Sequence, residues 1–316
     1  MITCKLHVPE ENSPCKFYIK QEPGIAGLCD AEPTMFRCTE ALKKLSPTIT
    51  QSAIKTFAQC PYKYYLNYIK GVSRRDEHLP EPIKMGAVWD AYLGGKDTVE
   101  LMDRYQISDI TQAKLLTMMN VFEELKLTPE PGYDTQGKVE WLAGGNVTVT
   151  GFTDRTYSDH IEEDKFTARP DFYFTLGNIS LQVGTYFLGV PSAEYVDMKV
   201  TRVPGLRLGK EEDIAGYMDR LYKDICKRPS YYFPGLNKAK KTYGKRFYRN
   251  EFPLDIIKKR FEDVIKDMRF HIDNNLWYRN ELSCHVPSQC MYLDIKNTGV
   301  ISNTLYKVAD KLEEIR

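Results

Sequence analysis

The chain has 316 residues and a mass of 36.6 kDa, enough for one large domain or two ordinary ones with a substantial core. Hydrophobic residues make up 42% and charged residues 28%, and no apolar run approaches the roughly 20 residues that a membrane-spanning helix needs. Since 44 Lys and Arg residues balance 43 Asp and Glu residues, any surface that attracts nucleic acid must be local. The N-terminus, MITCKLHVPEENSPCK, lacks the apolar core of a secretory signal, so we expect a cytoplasmic protein.

The first segment of the chain is punctuated by Pro and Gly, shows no helical or strand period, and ends near Ser46. It carries four of the eight cysteines, Cys4, Cys15, Cys29 and Cys38. Because a reducing compartment disfavours disulfides and Zn²⁺ accepts four thiolates, residues 1–46 are expected to form a small module with a candidate zinc site. The segment contains no CxxC pair, so an irregular extension with ordinary thiols is the alternative.

The remaining elements follow in chain order from the spacing of their apolar residues. A helix begins near Thr50 and is broken near Pro61, and further helices are expected over 83–95 and 110–128. Alternation of Val, Thr and aromatic residues predicts strands in 137–143, 146–157, 160–167 and 194–203, with a helix over 181–188. Two amphipathic helices, 211–225 and 253–272, make the C-terminal part helical. This order predicts an α/β fold.

Charged residues gather at the ends of two neighbouring strands. Glu163 and Lys165 are two residues apart and therefore share one face, from which they can meet Asp154 at the end of the preceding strand. Two carboxylates can hold Mg²⁺ or Mn²⁺, and a lysine can orient or activate water and offset charge at a phosphate. The pattern indicates metal-assisted phosphodiester hydrolysis, and a solvated strand end is the alternative.

Together with four other segments, these residues resemble the PD-(D/E)XK nuclease superfamily, and within it the RecB/AddB-type exonucleases, including CRISPR-adaptation nucleases and their phage-encoded relatives. The segments are ITQSAIKTFAQCPYKYYLNYIKG, MGAVWDAYL, the Gln-x-x-x-Tyr helix and YRNELSCHVPSQCMYLDI. The resemblance implies a restriction-endonuclease-like mixed β-sheet flanked by helices. It also implies that Asp154 and Glu163 bind the metal, that Lys165 assists catalysis, and that Gln182 and Tyr186 contact the substrate.

The sequence departs from the family pattern at two places. Many members have a histidine as an extra metal ligand four residues after the helix glycine, whereas here Asp90 follows Gly86; a capping or surface acid is the alternative to a metal ligand. Several relatives hold an iron–sulfur cluster with four cysteines, and the matches here are Cys60, Cys284 and Cys290. Lys296 stands near the place of the fourth, so the set is incomplete, and zinc or plain packing are the alternatives. Cys226 is expected to be buried in an amphipathic helix.

A second alignment with the same motif uses Pro170-Asp171 and Asp197-Met198-Lys199, which spell it more literally. We favour Glu163 and Lys165, because the Gln-x-x-x-Tyr helix of the family follows the acid-x-Lys strand.

The segment NKAKKTYGKRFYRN places basic residues among Tyr243, Phe247 and Tyr248. This composition suits a groove that follows a DNA backbone and stacks bases, and a solvated loop or edge strand is the alternative. The candidate DNA-binding residues are Lys238, Lys240, Lys241, Lys245, Arg246 and Arg249.

These observations predict a metal-dependent DNA nuclease, an exonuclease acting on DNA ends in phage or prokaryotic recombination, replication or repair. The expected organisation is a module at 1–46, a nuclease domain at 47–300 and a tail at 301–316. Recombination or replication proteins and further copies of the chain are candidate partners. The alternative functions are a DNA-binding or scaffolding protein on the same fold with weakened catalysis, and a zinc-dependent contact made by the N-terminal module.

Overall fold

The structure, a computed structural model, describes residues 45–127, 134–144, 146–175, 179–284 and 289–309, together with the backbone of two short N-terminal strands. These strands, β1 (Tyr18–Ile19) and β2 (Leu28–Cys29), pair antiparallel. Cys4, Cys15, Cys38 and the side chain of Cys29 lie outside the described residues. The zinc site of the N-terminal module therefore stays a prediction.

The helices and strands alternate along the chain as an α/β protein requires. The further strands are β3 (Thr48–Thr50), β4 (Val72–Arg74), β5 (Asp134–Thr135), β6 (Lys138–Ala143), β7 (Val147–Phe152), β8 (Arg155–Thr156), β9 (His160–Thr167), β10 (Tyr195–Arg202), β11 (Lys245–Tyr248) and β12 (Tyr306–Val308). The helices are α1 (Gln51–Gln59), α2 (Pro61–Tyr64), α3 (Glu81–Leu93), α4 (Thr98–Arg104), α5 (Asp109–Glu124), α6 (Pro170–Thr175), α7 (Leu181–Gly189), α8 (Ile214–Lys227), α9 (Pro229–Tyr232), α10 (Leu254–Asn274) and α11 (Leu293–Thr298). The predicted α/β class is confirmed, and the sequence analysis did not identify the short helices α4, α6, α9 and α11.

The first helix stops where the sequence predicts. The Thr50 hydroxyl accepts a hydrogen bond from the Ala53 N–H at 3.2 Å and caps α1. Cys60 then adopts an extended conformation because the ring of Pro61 disfavours helical geometry in the preceding residue. The chain resumes as α2 and a single π-helical turn, Tyr65–Ile69. Cys60 consequently points into the protein, where it is fully buried.

Two sheets form the centre of the protein. The larger has the strand order β11-β10-β9-β8-β5, in which β9 and β10 are parallel and the other neighbours are antiparallel. The smaller has the order β3-β7-β6. Because β7 is followed after two residues by β8, Thr153 and Asp154 lie where the chain passes from one sheet to the other.

Alternation along β9 separates two apolar cores. Ile161 packs in a core with residues of α1, α7 and α10, and Glu163 and Lys165 share its face of the strand. On the other face Phe166 stacks on Trp89 of α3, with ring centroids 4.8 Å apart, beside a core built from α3, α5 and α8. The sheet is thus covered by helices on both sides, as the sequence predicts.

The second face also holds a buried network of charges. Arg155, 3% exposed, donates to Glu162 at 2.8 Å and also to Asp164, while Lys199 pairs with Glu162. Two cations and two carboxylates therefore neutralise one another away from water. Since these residues lie on β8, β9 and β10, the network fixes the three strands to one another.

The C-terminal part shows two differences from expectation. Within the predicted tail, β12 pairs with β4, so this segment is attached to the chain that follows α2. Cys226 is exposed rather than buried, because the inward positions of α8 are occupied by Tyr217, Leu221 and Ile225. Among the described residues, no helix combines the length and apolarity needed to cross a membrane.

Candidate active site

The fold brings Asp154 and Glu163 to the same place. The Asp154 carboxylate accepts a hydrogen bond from the backbone N–H of Asp164 at 2.7 Å, which anchors it to β9 beside Glu163. The Glu163 side chain is 2% exposed, and Lys165, 22% exposed, donates to its Oε1 atom. The acid-x-Lys pair thus shares one face of the strand and opens toward solvent at its lysine end.

Helix α7 supplies the remaining partners of Glu163. Gln182 Nε2 donates to Glu163 Oε1 at 2.6 Å and to the Tyr186 hydroxyl at 2.8 Å, because residues four apart lie one above the other on a helix. The Tyr186 hydroxyl contacts Glu163 Oε2 and lies 2.9 Å from the Phe152 carbonyl oxygen. Both carboxylate oxygens of Glu163 are therefore held in place, so the side chain is oriented before any ligand arrives.

The site concentrates negative charge in a desolvated position. Burial raises the pKa of Glu163 to about 7; Lys165 opposes this shift and the Asp154 carboxylate adds to it. Although burial lowers the pKa of Lys165, the charges of Glu163 and Asp154 raise it above its ordinary value. Hard oxygen donors that repel one another fit a hard divalent cation, which would relieve the repulsion. The residues present therefore fit Mg²⁺ or Mn²⁺.

Asp90 faces this group from α3. Loss of hydration together with the nearby Asp154 carboxylate raises the pKa of Asp90, while Lys96 and Lys165 oppose the shift. Asp90 does not cap the start of a helix, since α3 begins nine residues earlier and Asp90 lies in its last turns, where a negative charge is unfavourable. The oxygens of Asp90, Asp154 and Glu163 are not all within 4.8 Å of one another.

Sequence reasoning missed a lysine at this site. Lys55 on α1 is exposed, but partial loss of hydration and the charges of Lys165 and Lys63 lower its pKa, while Glu163 opposes this effect. Its charge is therefore close enough to interact with Glu163 and Lys165. The only signal in the sequence is helical spacing, because Lys55 is four residues after Gln51, which lines the adjoining cleft.

A cleft of about 350 Å³ opens beside Glu163. Its walls come from the start of α1, from β7 and from α7, and Phe152 at its rim is 55% exposed. The lining residues are Thr50, Gln51, Ser52, Tyr68, Thr150, Gly151, Phe152, Gln182, Thr185 and Tyr186. The cleft is lined by Gln182 and Tyr186, which contact Glu163, so a ligand bound in it lies next to Glu163.

A second acidic group lies on the opposite face of the sheet. Ligand atoms of His160, Glu162 and Asp197 are within 4.8 Å of one another. Each already has a partner: Glu162 binds Arg155 and Lys199, Asp197 binds Arg246 at 2.8 Å, and His160 contacts Asp159. Positive side chains already neutralise these carboxylates, so we do not assign a metal here.

The alternative motif alignment belongs to this opposite face. Asp197 pairs in register with Glu162, so Asp197 and Lys199 point away from Glu163. Asp171 lies in α6 with its side chain 87% exposed. The structure therefore does not assemble these residues with Glu163.

The cysteines expected to hold a cluster surround Lys296. Its Nζ atom lies 3.4 Å from Cys60 Sγ and 3.2 Å from Cys284 Sγ, and Cys290 is close enough to influence its charge. Three thiols and an amine do not supply the four thiolates of an iron–sulfur cluster. The three sulfurs are also not all within 4.8 Å of one another, whereas four thiolates bound to one Zn²⁺ lie about 3.8 Å apart. Within the part of the chain that the structure describes, the site fits neither metal group.

The basic segment divides into a structural and an exposed part. Arg249 donates to the carbonyls of Phe187 and Val190, so it acts as an internal brace rather than a free phosphate ligand. Arg246 pairs with Asp197, and Lys245 donates to the Phe174 carbonyl at 3.1 Å. Tyr243 and Phe247 are buried and cannot stack on bases. The candidates Lys238, Lys240, Lys241, Lys245 and Arg246 are all exposed, as is Tyr248, but Lys245 and Arg246 already have these partners.

The family model of the PD-(D/E)XK nuclease superfamily matches residues 48–293 of this chain. Among solved structures, a protein from Eubacterium rectale described as a candidate exonuclease is 11% identical, with a TM-score of 0.43, over 83% of this chain and 96% of its own. A second structure, of a protein called SSO0001, is 18% identical, with a TM-score of 0.26, over 60% of this chain and 80% of its own. No curated protein matches the chain.

Proposed function

This chain belongs to the PD-(D/E)XK nuclease superfamily, and we propose that it is a metal-dependent exonuclease that hydrolyses DNA from its ends. The observation that carries the proposal is the arrangement around Glu163. A buried carboxylate is held by Gln182 and Tyr186 and is joined on the same strand face by a lysine. Such an arrangement positions a metal ligand and a proton-handling group within reach of one phosphate.

Each residue has a distinct part in the proposed reaction. Asp154 and Glu163 would hold Mg²⁺ or Mn²⁺, with Asp90 at the edge of the site. The metal, when bound, activates a water molecule and neutralises charge on the phosphate. Lys165 stays protonated beside Glu163, so it orients the attacking water and donates hydrogen bonds to phosphate oxygens. Gln182 and Tyr186 prevent Glu163 from rotating away.

The surroundings of the site support a nucleic-acid substrate. The cleft between α1, β7 and α7 is adjacent to Glu163, and the exposed ring of Phe152 at its rim offers a face on which a base can stack. Lys55 adds a positive charge on α1 for a neighbouring phosphate. The exposed lysines of residues 238–241 are further phosphate contacts in this proposal. A role in phage or prokaryotic recombination, replication or repair is part of the proposal through the family resemblance.

The domain boundaries are part of the proposal. The nuclease unit comprises residues 47–300, and β12 extends it by pairing with β4. Residues 1–46 form a separate module in this proposal.

The test compares linear and closed circular DNA as substrates. The purified chain is incubated with Mn²⁺ or Mg²⁺ and end-labelled single- or double-stranded DNA, or with covalently closed circles of the same sequence. Metal-dependent release of nucleotides from linear DNA, with circles intact, is expected. Cleavage of circles would refute action at ends.

Variants separate catalysis from simple binding. Glu163→Gln and Lys165→Ala are expected to abolish hydrolysis, since they remove a metal ligand and the water-orienting amine. Asp171→Asn is the matched control, because this exposed acid belongs to the alternative motif and should leave the rate unchanged. A parent chain that binds DNA but cleaves none of these substrates would instead support a scaffolding protein on the nuclease fold.

A further inference from the structure

A buried lysine cross-links two distant parts of the chain. Cys60 lies at the break between α1 and α2, whereas Cys284 ends the 3₁₀ turn Leu282–Cys284 and Lys296 belongs to α11. Lys296 is 3% exposed and contacts both sulfurs, although it is 236 residues from Cys60 in the sequence. The contact therefore joins the opening helices to the C-terminal segment.

The apolar surroundings make this contact an unusual one. Cys284 and Cys290 pack with Leu66, Val72 and Tyr292 in a small third core. A buried ammonium is costly unless a negative group lies beside it. The two sulfurs are the side-chain partners that the structure gives to Lys296 Nζ. One of them must therefore carry the compensating charge for the site to be stable.

The hydrogen bonds identify Cys60 as that group. Its sulfur accepts from the Asn280 backbone N–H at 3.5 Å and from Lys296 at 3.4 Å, which is the pattern of a thiolate. Cys284 accepts from Lys296 but also donates to the Asn280 carbonyl at 3.5 Å, which requires its proton. Burial would raise the pKa of Cys60, but hydrogen bonds from the Asn280 and Lys63 backbones and the charge of Lys296 lower it.

A bound metal is incompatible with this arrangement. The Lys296 ammonium lies against two of the sulfurs, where it would repel iron or zinc and occupy the coordination space. We propose that Lys296 takes the place of a metal group, forming an ammonium–thiolate pair with Cys60 that holds the C-terminal segment against the first helices without iron or zinc. The site is then a metal-free cross-link built on a buried thiolate.

The first experiment measures metal and thiolate in the full chain. Iron, sulfide and zinc are quantified in the protein as purified and after anaerobic reconstitution with Fe²⁺ and sulfide. We expect the parent chain and Cys60→Ser to contain the same amount of iron and zinc. Because only the difference between the two proteins counts, zinc bound elsewhere does not affect the result. Loss of one equivalent of iron or zinc in Cys60→Ser would overturn the proposal.

The second experiment restores a four-cysteine set. Lys296→Cys is expected to gain about one iron–sulfur cluster per chain on reconstitution, seen by its visible absorbance and iron content. Lys307→Cys, an exposed lysine on β12, is the matched control and should gain none. A cluster of equal amount in the parent chain would contradict the proposal.

A third variant tests the charge pair directly and does not depend on cluster assembly. Lys296→Met keeps an unbranched side chain of similar length and removes its charge. The ultraviolet absorbance of the Cys60 thiolate is identified as the part of the signal that is missing in Cys60→Ser. We expect this absorbance in the parent at neutral pH and expect it to be lost in Lys296→Met. Equal thiolate absorbance in parent and Lys296→Met would show that Lys296 does not stabilise Cys60, and would refute the pair.

Discussion

Metal binding at the proposed site should depend on pH because a proton and a metal ion compete for Glu163. Burial and the Asp154 charge raise the pKa of Glu163 to about 7 in the metal-free protein, whereas a free glutamate titrates near 4.5. The carboxylate must lose its proton to bind a cation. Raising the pH through this range therefore favours the metal-bound state, and lowering it opposes binding.

The size of the effect follows from the pKa. About a tenth of Glu163 is protonated at pH 8, and about nine-tenths at pH 6. The ionised fraction, which can bind a cation, therefore falls roughly tenfold from pH 8 to pH 6. This corresponds to about 1.4 kcal/mol of apparent binding free energy. The raised pKa also means that ionising Glu163 in the metal-free protein lowers stability as pH rises from about 4.5 to 7. Metal should restore that stability, and most strongly at pH 8.

Calorimetric titration with Mn²⁺ at pH 6, 7 and 8 provides the assay, with thermal melts in the presence and absence of Mn²⁺ as a second readout. Glu163→Gln should remove most of the binding together with its pH dependence. Asp171→Asn, which changes an exposed acid, should retain both. An affinity that is constant from pH 6 to 8, or a pH dependence that persists in Glu163→Gln, would refute the assignment.

Three further predictions concern the substrate and the fold. Lys55→Ala should weaken DNA binding on the order of tenfold at low salt without changing the melting temperature, because Lys55 is exposed and its charge is close to the site; unchanged binding would remove it from the site. Phe152→Ala should weaken single-stranded DNA binding by about 1–3 kcal/mol, while Leu142→Ala, 63% exposed on β6, should not; equal effects in a fluorescence anisotropy titration would argue against stacking. Gly184→Ala should destabilise the protein by about 1–3 kcal/mol in chemical denaturation, since the added Cβ would lie 2.6 Å from Ile257 Cγ2, whereas Gly86→Ala has open space and should be tolerated.

The sequence allowed the elements of the site to be predicted, because they depend on local periodicity. Residues two apart on a strand share a face, and residues four apart on a helix are neighbours. These two rules place Glu163 with Lys165 and Gln182 with Tyr186, and the contacts in the structure follow them. Their catalytic roles remain part of the proposed function.

Other features depend on packing between distant segments and were not readable from the chain. Lys55 reaches the site only because α1 lies against α7 and β7, which the spacing within α1 does not reveal. Arg249 looks like a phosphate ligand among basic neighbours, yet carbonyl groups at the end of α7 bind its guanidinium. Cys226 is exposed because α8 turns neighbouring residues inward. The sequence shows which residue types are present at these positions, but only the tertiary contacts show what each side chain binds.

Strand β9 shows why adjacent, chemically similar residues have opposite roles. Glu162 and Glu163 are neighbours with the same side chain, but the pleat directs them to opposite faces of the sheet. Burial alone would raise the pKa of Glu162, but the ion pairs with Lys199 and Arg155 outweigh this effect and lower it. Glu162 therefore remains a fixed anion within the network that joins β8, β9 and β10. Glu163 forms an ion pair with Lys165 but also lies near the Asp154 carboxylate, whose repulsion a bound cation would relieve. The rigidity supplied by the first glutamate holds the second in position, so a register shift of one residue would destroy the brace and the proposed metal site together.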